Sequence, residues 1–145
     1  MEYEKLKNYE RYWRANQSIE QRVMAMKSAE TSITPQAGDG SQHIGAHDPM
    51  KAVDMRVDWC ASHSEDYAKN LAVMREVDKA IDSLQAPLER EILRLRYTDF
   101  RYGHQMSWPQ VKESLYGKMS VGKMTIYRLH DDGVKHFCEL GHNGT

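Results

Sequence analysis

Five residues near the C-terminus have side chains of the kinds that read DNA bases. Lys123, Met124, Thr125, Tyr127 and Arg128 lie within six positions of one another. Arg128 can make a bidentate contact with guanine, and Met124 or Thr125 can touch a thymine methyl group. Tyr127 can donate a hydrogen bond to a phosphate, and Lys123 can neutralise one. These residue types indicate recognition of double-stranded DNA, provided that they share the outer face of a helix.

The five residues lie in the second of two amphipathic segments that together cover residues 107–137. Ile126, Leu129, Gly133 and Phe137 recur at helical spacing and predict the buried face of the second helix. Its first two turns then present the five residues outward, and a recognition helix enters the major groove by these turns. The pattern therefore predicts a recognition helix, in which Gly133 permits close approach of a neighbouring helix.

A shorter helix is predicted just before the recognition helix. Ser107 followed by Gln110 has the pattern of a capping box, in which each side chain bonds the other residue's backbone N–H. The free N–H groups at a helix start can hold a phosphate, so Ser107 and Trp108 are candidate phosphate contacts. Lys118, in the bridge between the two helices, is a further candidate. The two segments together predict a helix-turn-helix.

Two long helices are predicted upstream of this region. Apolar and aromatic side chains spaced by three and four predict one helix over residues 3–28. Residues 31–48 contain Pro, Gly and Ser without a period and predict a mobile connector. Asp48 followed by Pro49 is a helix start, and the helix that follows, of about 35 residues, would be about 50 Å long.

The fold class predicted from these elements is all-α. Residues 1–84 form a long N-terminal helical hairpin, and residues 86–140 form a C-terminal three-helix domain that ends in the helix-turn-helix. The first helix of that domain begins at Pro87, with Leu88, Ile92 and Leu95 on its buried face. The apolar seam of the long helix exceeds what one neighbouring helix can cover, which motivates a homodimer through the hairpin.

Composition restricts where DNA can bind. The net charge is -1 and the pI is about 6.7, so the chain as a whole offers no electrostatic attraction to nucleic acid. Residues 86–130, however, contain eight Lys and Arg against four Asp and Glu, which places the basic excess around the candidate site. No apolar run suits a signal peptide or a membrane span, and the two cysteines suggest no disulfide framework. A cytoplasmic protein without membrane association is expected.

The chain resembles a known family in its C-terminal half. The shared pattern is a helix ending in Leu95-Arg96-Tyr97, a helix start at Ser107-Trp108, and the run Ile126-Tyr127-Arg128-Leu129-His130. This pattern is similar to that of the ArpU/RinA-like late transcriptional regulators of bacteriophages and, more distantly, to region 4 of sigma-70 factors. The resemblance implies a phage or prophage late-gene activator that binds double-stranded DNA and contacts bacterial RNA polymerase. It also assigns base reading to the same five positions of the recognition helix.

Two rival functions fit an all-α chain with this pattern. A DNA-packaging small terminase subunit would also bind phage DNA, but it should form a ring and usually carries its DNA-binding helices first in the chain. A helical interaction module without affinity for DNA is the second alternative. Oligomeric state separates the first rival from a dimeric regulator, and salt-dependent DNA binding separates the second.

Metal and catalytic sites are weakly indicated. His43, His47, Cys60 and His63 have spacings that a zinc site can use. The first two lie in the predicted connector, however, and the other two lie on neighbouring faces of a helix, so we interpret them as surface side chains. No nucleophile elbow, phosphate loop or paired-carboxylate motif is present. Neither a cofactor nor enzymatic activity is expected.

Overall fold

The computed structural model describes residues 1–31, 49–115 and 122–140, and every regular element within these ranges is helical. The helices are α1 (Tyr3–Lys7), α2 (Tyr9–Thr31), α3 (Pro49–Asp82), α4 (Pro87–Leu93), α5 (Trp108–Leu115) and α6 (Lys123–Glu139), with a π-helical segment (Arg94–Thr98) directly after α4. The all-α prediction is confirmed. Within the described ranges, no helix has the length and apolar character needed to cross a membrane.

The first predicted helix is divided near its start. Asn8 separates α1 from α2. Backbone hydrogen bonds nevertheless continue across the break, from the Asn8 N–H to the Glu4 carbonyl (2.9 Å) and from the Arg11 N–H to the Asn8 carbonyl (3.0 Å). Asparagine suits such a break because its side chain competes for backbone hydrogen bonds. The predicted connector from residue 32 onward, including Asp48, lies outside the described residues.

Packing divides the chain into two compact units. One consists of Met1–Trp13 and Leu71–Thr145, and the other of Arg14–Asn70. We call them the core unit and the hairpin unit. Both boundaries fall inside long helices rather than near residues 84–86, because α1 and the adjoining helix ends bury their apolar side chains with α4 and α6.

The hairpin unit pairs α2 with α3 in antiparallel fashion. The buried Asn16 amide donates to the Tyr67 carbonyl (3.2 Å) and accepts from the Asn70 amide (3.0 Å). Further along α2, Glu30 pairs with Arg56 at 2.6 Å. As the residue number increases along α2, the number of the bonded partner in α3 decreases, which is the pattern of antiparallel helices. A buried, bonded asparagine in such a seam favours one register over its neighbours.

The core unit contains two apolar clusters. The first, which we call the Phe137 cluster, combines side chains of α1, α2, α3, α4, the π-helical segment and α6, with Leu84 between α3 and α4. Its members are Leu6, Tyr9, Val77, Ala80, Ile81, Leu84, Leu93, Tyr97 and Phe137. The second, the Ile126 cluster, holds α5 and the start of α6: Ile92, Leu95, Met106, Val111, Leu115 and Ile126. Helices α4 and α6 contribute to both clusters, so they connect α5 to α1.

The predicted face of α4 is wrong at one position. Leu88 is 41% exposed, whereas Glu89, Ile92 and Leu93 are buried. The buried face turns by one residue because the Glu89 carboxylate faces α6, where it pairs with the His136 imidazole at 2.8 Å. A hydrogen bond between Glu89 and His136 across the helix contact therefore occupies the place of the expected leucine.

Candidate nucleic-acid interface

The start of α5 is set by the capping box. The Ser107 N–H donates to Gln110 Oε1 (3.0 Å), and the Gln110 N–H donates to Ser107 Oγ (3.4 Å). Both bonds satisfy donors that a helix start leaves free. This prediction is confirmed, and α5 begins at Trp108 directly after the cap.

Burial on the inner side of α6 leaves its first two turns available on the outer side. Ile126 is 2% exposed within the Ile126 cluster, where it packs with Val111 and Leu115 of α5. Further along α6, Gly133 and Phe137 are also buried, as predicted, while Leu129 is only partly buried. The helix is thereby anchored along one face.

The structure brings the five predicted base-reading residues together at the start of α6. Lys123, Met124 and Arg128 are exposed, Met124 to 79%, while Thr125 and Tyr127 are partly buried. Among the residues that the structure describes, Arg128 has neither a hydrogen bond nor an ion pair, so its guanidinium is available to a partner. Lys118, the remaining candidate of the bridge, lies outside the described residues.

Trp108 packs between α5, α6 and the π-helical segment. Its ring meets the Tyr127 ring edge to face, with centroids 5.0 Å apart, and the Arg96 guanidinium carbon lies 4.8 Å from its centroid. Lys123 Nζ in turn lies 5.7 Å from the Tyr127 centroid. These cation–π and aromatic contacts hold the first turns of both helices side by side.

A cleft of about 280 Å³ opens between the starts of α5 and α6. It is lined by Trp108, Pro109, Lys112, Lys123, Ile126 and Tyr127. Two ammonium groups thus flank an aromatic floor. Positive charge at this position suits the sugar-phosphate backbone beside a groove-bound helix.

His130 is a buried site residue that sequence reasoning did not single out. Its Nε2 lies 2.7 Å from the Tyr97 hydroxyl, its Nδ1 lies 3.0 Å from Asp131 Oδ1, and the Tyr97 hydroxyl lies 2.7 Å from the Tyr3 hydroxyl. Burial lowers the pKa of His130, against the opposing effect of the Asp131 carboxylate. A signal was present in the sequence, because His130 lies four positions after Ile126, at the spacing of an inward face.

Gly133 lies where α6 packs tightly against α4. A Cβ added there would lie 3.3 Å from the Glu89 Cβ and 3.4 Å from the Leu93 Cγ. The predicted role of Gly133 in helix packing is confirmed. Beside it, the hydrogen bond that His136 donates to the Glu89 carboxylate raises the pKa of His136.

Within the described ranges, no group of three His, Cys, Asp or Glu side chains is arranged to hold a metal ion. His43 and His47 lie outside those ranges. The His63 ring stacks on Trp59, with centroids 3.9 Å apart, and its Nδ1 lies 2.8 Å from the Trp59 carbonyl oxygen. Local contacts within α3 therefore account for the orientation of His63.

The candidate interface thus offers one free guanidinium, an exposed thioether, a hydroxyl and flanking ammonium groups on a firmly anchored helix. Comparison of the chain with protein-family models, with curated protein sequences and with solved structures finds no match. The function is therefore inferred from the chemistry and geometry of the interface itself.

Proposed function

We propose that the chain is a sequence-specific DNA-binding transcriptional regulator in which α6 is the recognition helix. The observation that carries this proposal is the exposed, unpartnered Arg128 one turn after the exposed Met124, on a helix whose opposite face is buried. An arginine can bond guanine O6 and N7, and an apolar side chain can contact a thymine methyl group. Arg128 and Met124 project from the same side of α6.

Phosphate contacts would set the position of α6 in the groove. Lys112 and Lys123 flank the cleft beside the recognition helix, and each can neutralise one phosphate. With so few basic groups, the electrostatic contribution to binding is modest, and the affinity should fall only moderately with salt. Specific base contacts then have to supply much of the discrimination between DNA sequences.

The biological setting that we propose follows from the family resemblance. The protein would act in the cytoplasm of a bacterial host as a phage or prophage late-gene activator, with RNA polymerase as a further partner. A homodimer would place two recognition helices in successive major grooves, about 34 Å apart. In support of self-association, the hairpin unit exposes Met24, Met50, Met55 and Val57.

Fluorescence anisotropy with labelled DNA tests the proposal. The pure protein is titrated against DNA from the neighbourhood of its own gene and against random DNA, each over a series of salt concentrations. Arg128→Ala is compared with Arg75→Ala, which removes the same charge from an exposed position of α3. Arg128→Ala should weaken specific binding by about 1–3 kcal/mol, whereas Arg75→Ala should not.

Equal and weak binding to both DNAs, unchanged by Arg128→Ala, would overturn the proposal in favour of an interaction module. Light scattering coupled to size-exclusion chromatography tests the remaining alternative. A ring of many subunits would indicate DNA packaging, whereas a dimer agrees with the regulator.

A further inference from the structure

We propose that Tyr97 and His130 are positioning residues for the recognition helix and that they couple its orientation to α1 through Tyr3. This inference rests on the proposed function of α6. Tyr3 belongs to α1, Tyr97 to the π-helical segment and His130 to α6. Three elements distant in sequence thus meet at one line of hydrogen bonds inside the core unit.

One consistent set of donors and acceptors satisfies the whole line. Neutral His130 donates its Nδ1–H to Asp131 and leaves Nε2 to accept from the Tyr97 hydroxyl. The Tyr97 oxygen then accepts from the Tyr3 hydroxyl. The Tyr3–Tyr97 and Tyr97–His130 contacts are both 2.7 Å long. Tyr97 is 5% exposed and His130 is 9% exposed. Hydrogen bonds in such a buried setting are stronger than in water and costly to break.

Because His130 belongs to α6, the hydrogen bonds from Tyr3 through Tyr97 to His130 affect the orientation of that helix. His130 lies one turn after Ile126 and Tyr127, in the same helix as the exposed Met124 and Arg128. Its ring also meets the Trp108 ring edge to face, with centroids 4.9 Å apart. Apolar contacts alone leave room for small rotations about the helix axis, whereas the 2.7 Å hydrogen bond between the Tyr97 hydroxyl and His130 Nε2 has a fixed direction and restrains them. His130 therefore fixes the rotation of α6 against both the π-helical segment and α5.

Loss of this restraint should affect specificity more than stability. A slightly rotated α6 still presents Lys123 and Arg128 to phosphates, so binding to random DNA persists. Bidentate base contacts need exact alignment and weaken. We expect Tyr97→Phe and Tyr3→Phe to lower the ratio of specific to random binding by about 5- to 50-fold, with the slope against salt unchanged.

Tyr9→Phe is the matched control. Tyr9 is also a buried tyrosine near the N-terminus, but its hydroxyl donates to both oxygens of Asp78 in α3, at 3.0 Å each. Tyr9→Phe should destabilise the protein about as much as Tyr97→Phe does, without changing the ratio of specific to random binding. All three full-length variants are compared at a temperature at which circular dichroism shows them folded. If Tyr9→Phe lowers the ratio as much as the other two, the effect is one of general stability and the inference is wrong.

Amide chemical shifts test the positioning without DNA. In NMR spectra, Tyr3→Phe and Tyr97→Phe should shift the amide resonances of residues 123–128, and Tyr9→Phe should leave them in place. Unchanged resonances in both variants would overturn the inference even if the wild type reads DNA. If the two variants shift these resonances but the wild type does not discriminate between DNAs, the positioning role stands and the proposed function is rejected.

Discussion

The contact at Gly133 yields a quantitative prediction about how α6 is held. A leucine at this position adds a Cβ at 3.3 Å from Glu89 and three further carbons into the same filled space. Overpacking of this kind costs about 1–3 kcal/mol, and replacing a helical glycine returns about 1 kcal/mol of helix propensity. Gly133→Ala should therefore remain within about 1 kcal/mol of the wild type. Gly133→Leu adds four carbons to a filled space, so its overpacking should lie near the top of that range and leave a net loss of about 2 kcal/mol.

Urea unfolding followed by circular dichroism measures both values. Lys135→Leu is the control, because Lys135 is exposed on the same helix and a leucine there should change stability by less than about 0.5 kcal/mol. At position 133, the leucine variant should be clearly less stable than the alanine variant. A Gly133→Leu variant as stable as Gly133→Ala would refute close packing of α4 on α6.

Other substitutions and conditions test separate parts of the structure. Ser107→Ala removes half of the capping box and should cost about 0.5–2 kcal/mol in urea unfolding, whereas Gln110→Ala should cost less. Phe137→Ala should lower the free energy of unfolding by about 3–5 kcal/mol, because a fully buried ring is lost from the Phe137 cluster. Asn16→Ala should destabilise the hairpin unit by about 1–3 kcal/mol, seen as faster amide hydrogen exchange within residues 14–31. The pKa of His130 is lower in the folded than in the unfolded protein. Stability should therefore fall as the pH drops below about 6.5, and thermal melts of His130→Gln should show a weaker fall.

Local features of the fold were predictable from the sequence, because their causes are local. The capping box needs only Ser107 and Gln110 three positions apart. The buried face of α6 follows from the recurrence of Ile126, Gly133 and Phe137 at helical spacing. In each case, residues within a few turns determine the result, and the helical period is enough to find them.

Features that depend on distant partners were not predictable. Leu88 was expected to be buried, yet Glu89 takes that place because its partner His136 lies 47 positions later. The hydrogen bond of His130 was equally hidden, since its partner Tyr97 lies 33 positions earlier in another element. The packing boundary at residue 13 depends likewise on Leu6 and Tyr9 meeting α6. A single sequence shows periodicity, but it does not show which polar groups meet across helices.

The most direct test of α6 as a recognition helix is selection of DNA from a random pool by the full-length protein. The wild type should enrich a motif of a few base pairs. Arg128→Ala should lose the preference at one position of that motif, and Met124→Ala should lose it at a neighbouring position, with the rest retained. A motif that neither substitution changes, or a pool with no enriched sequence, would contradict base reading by α6.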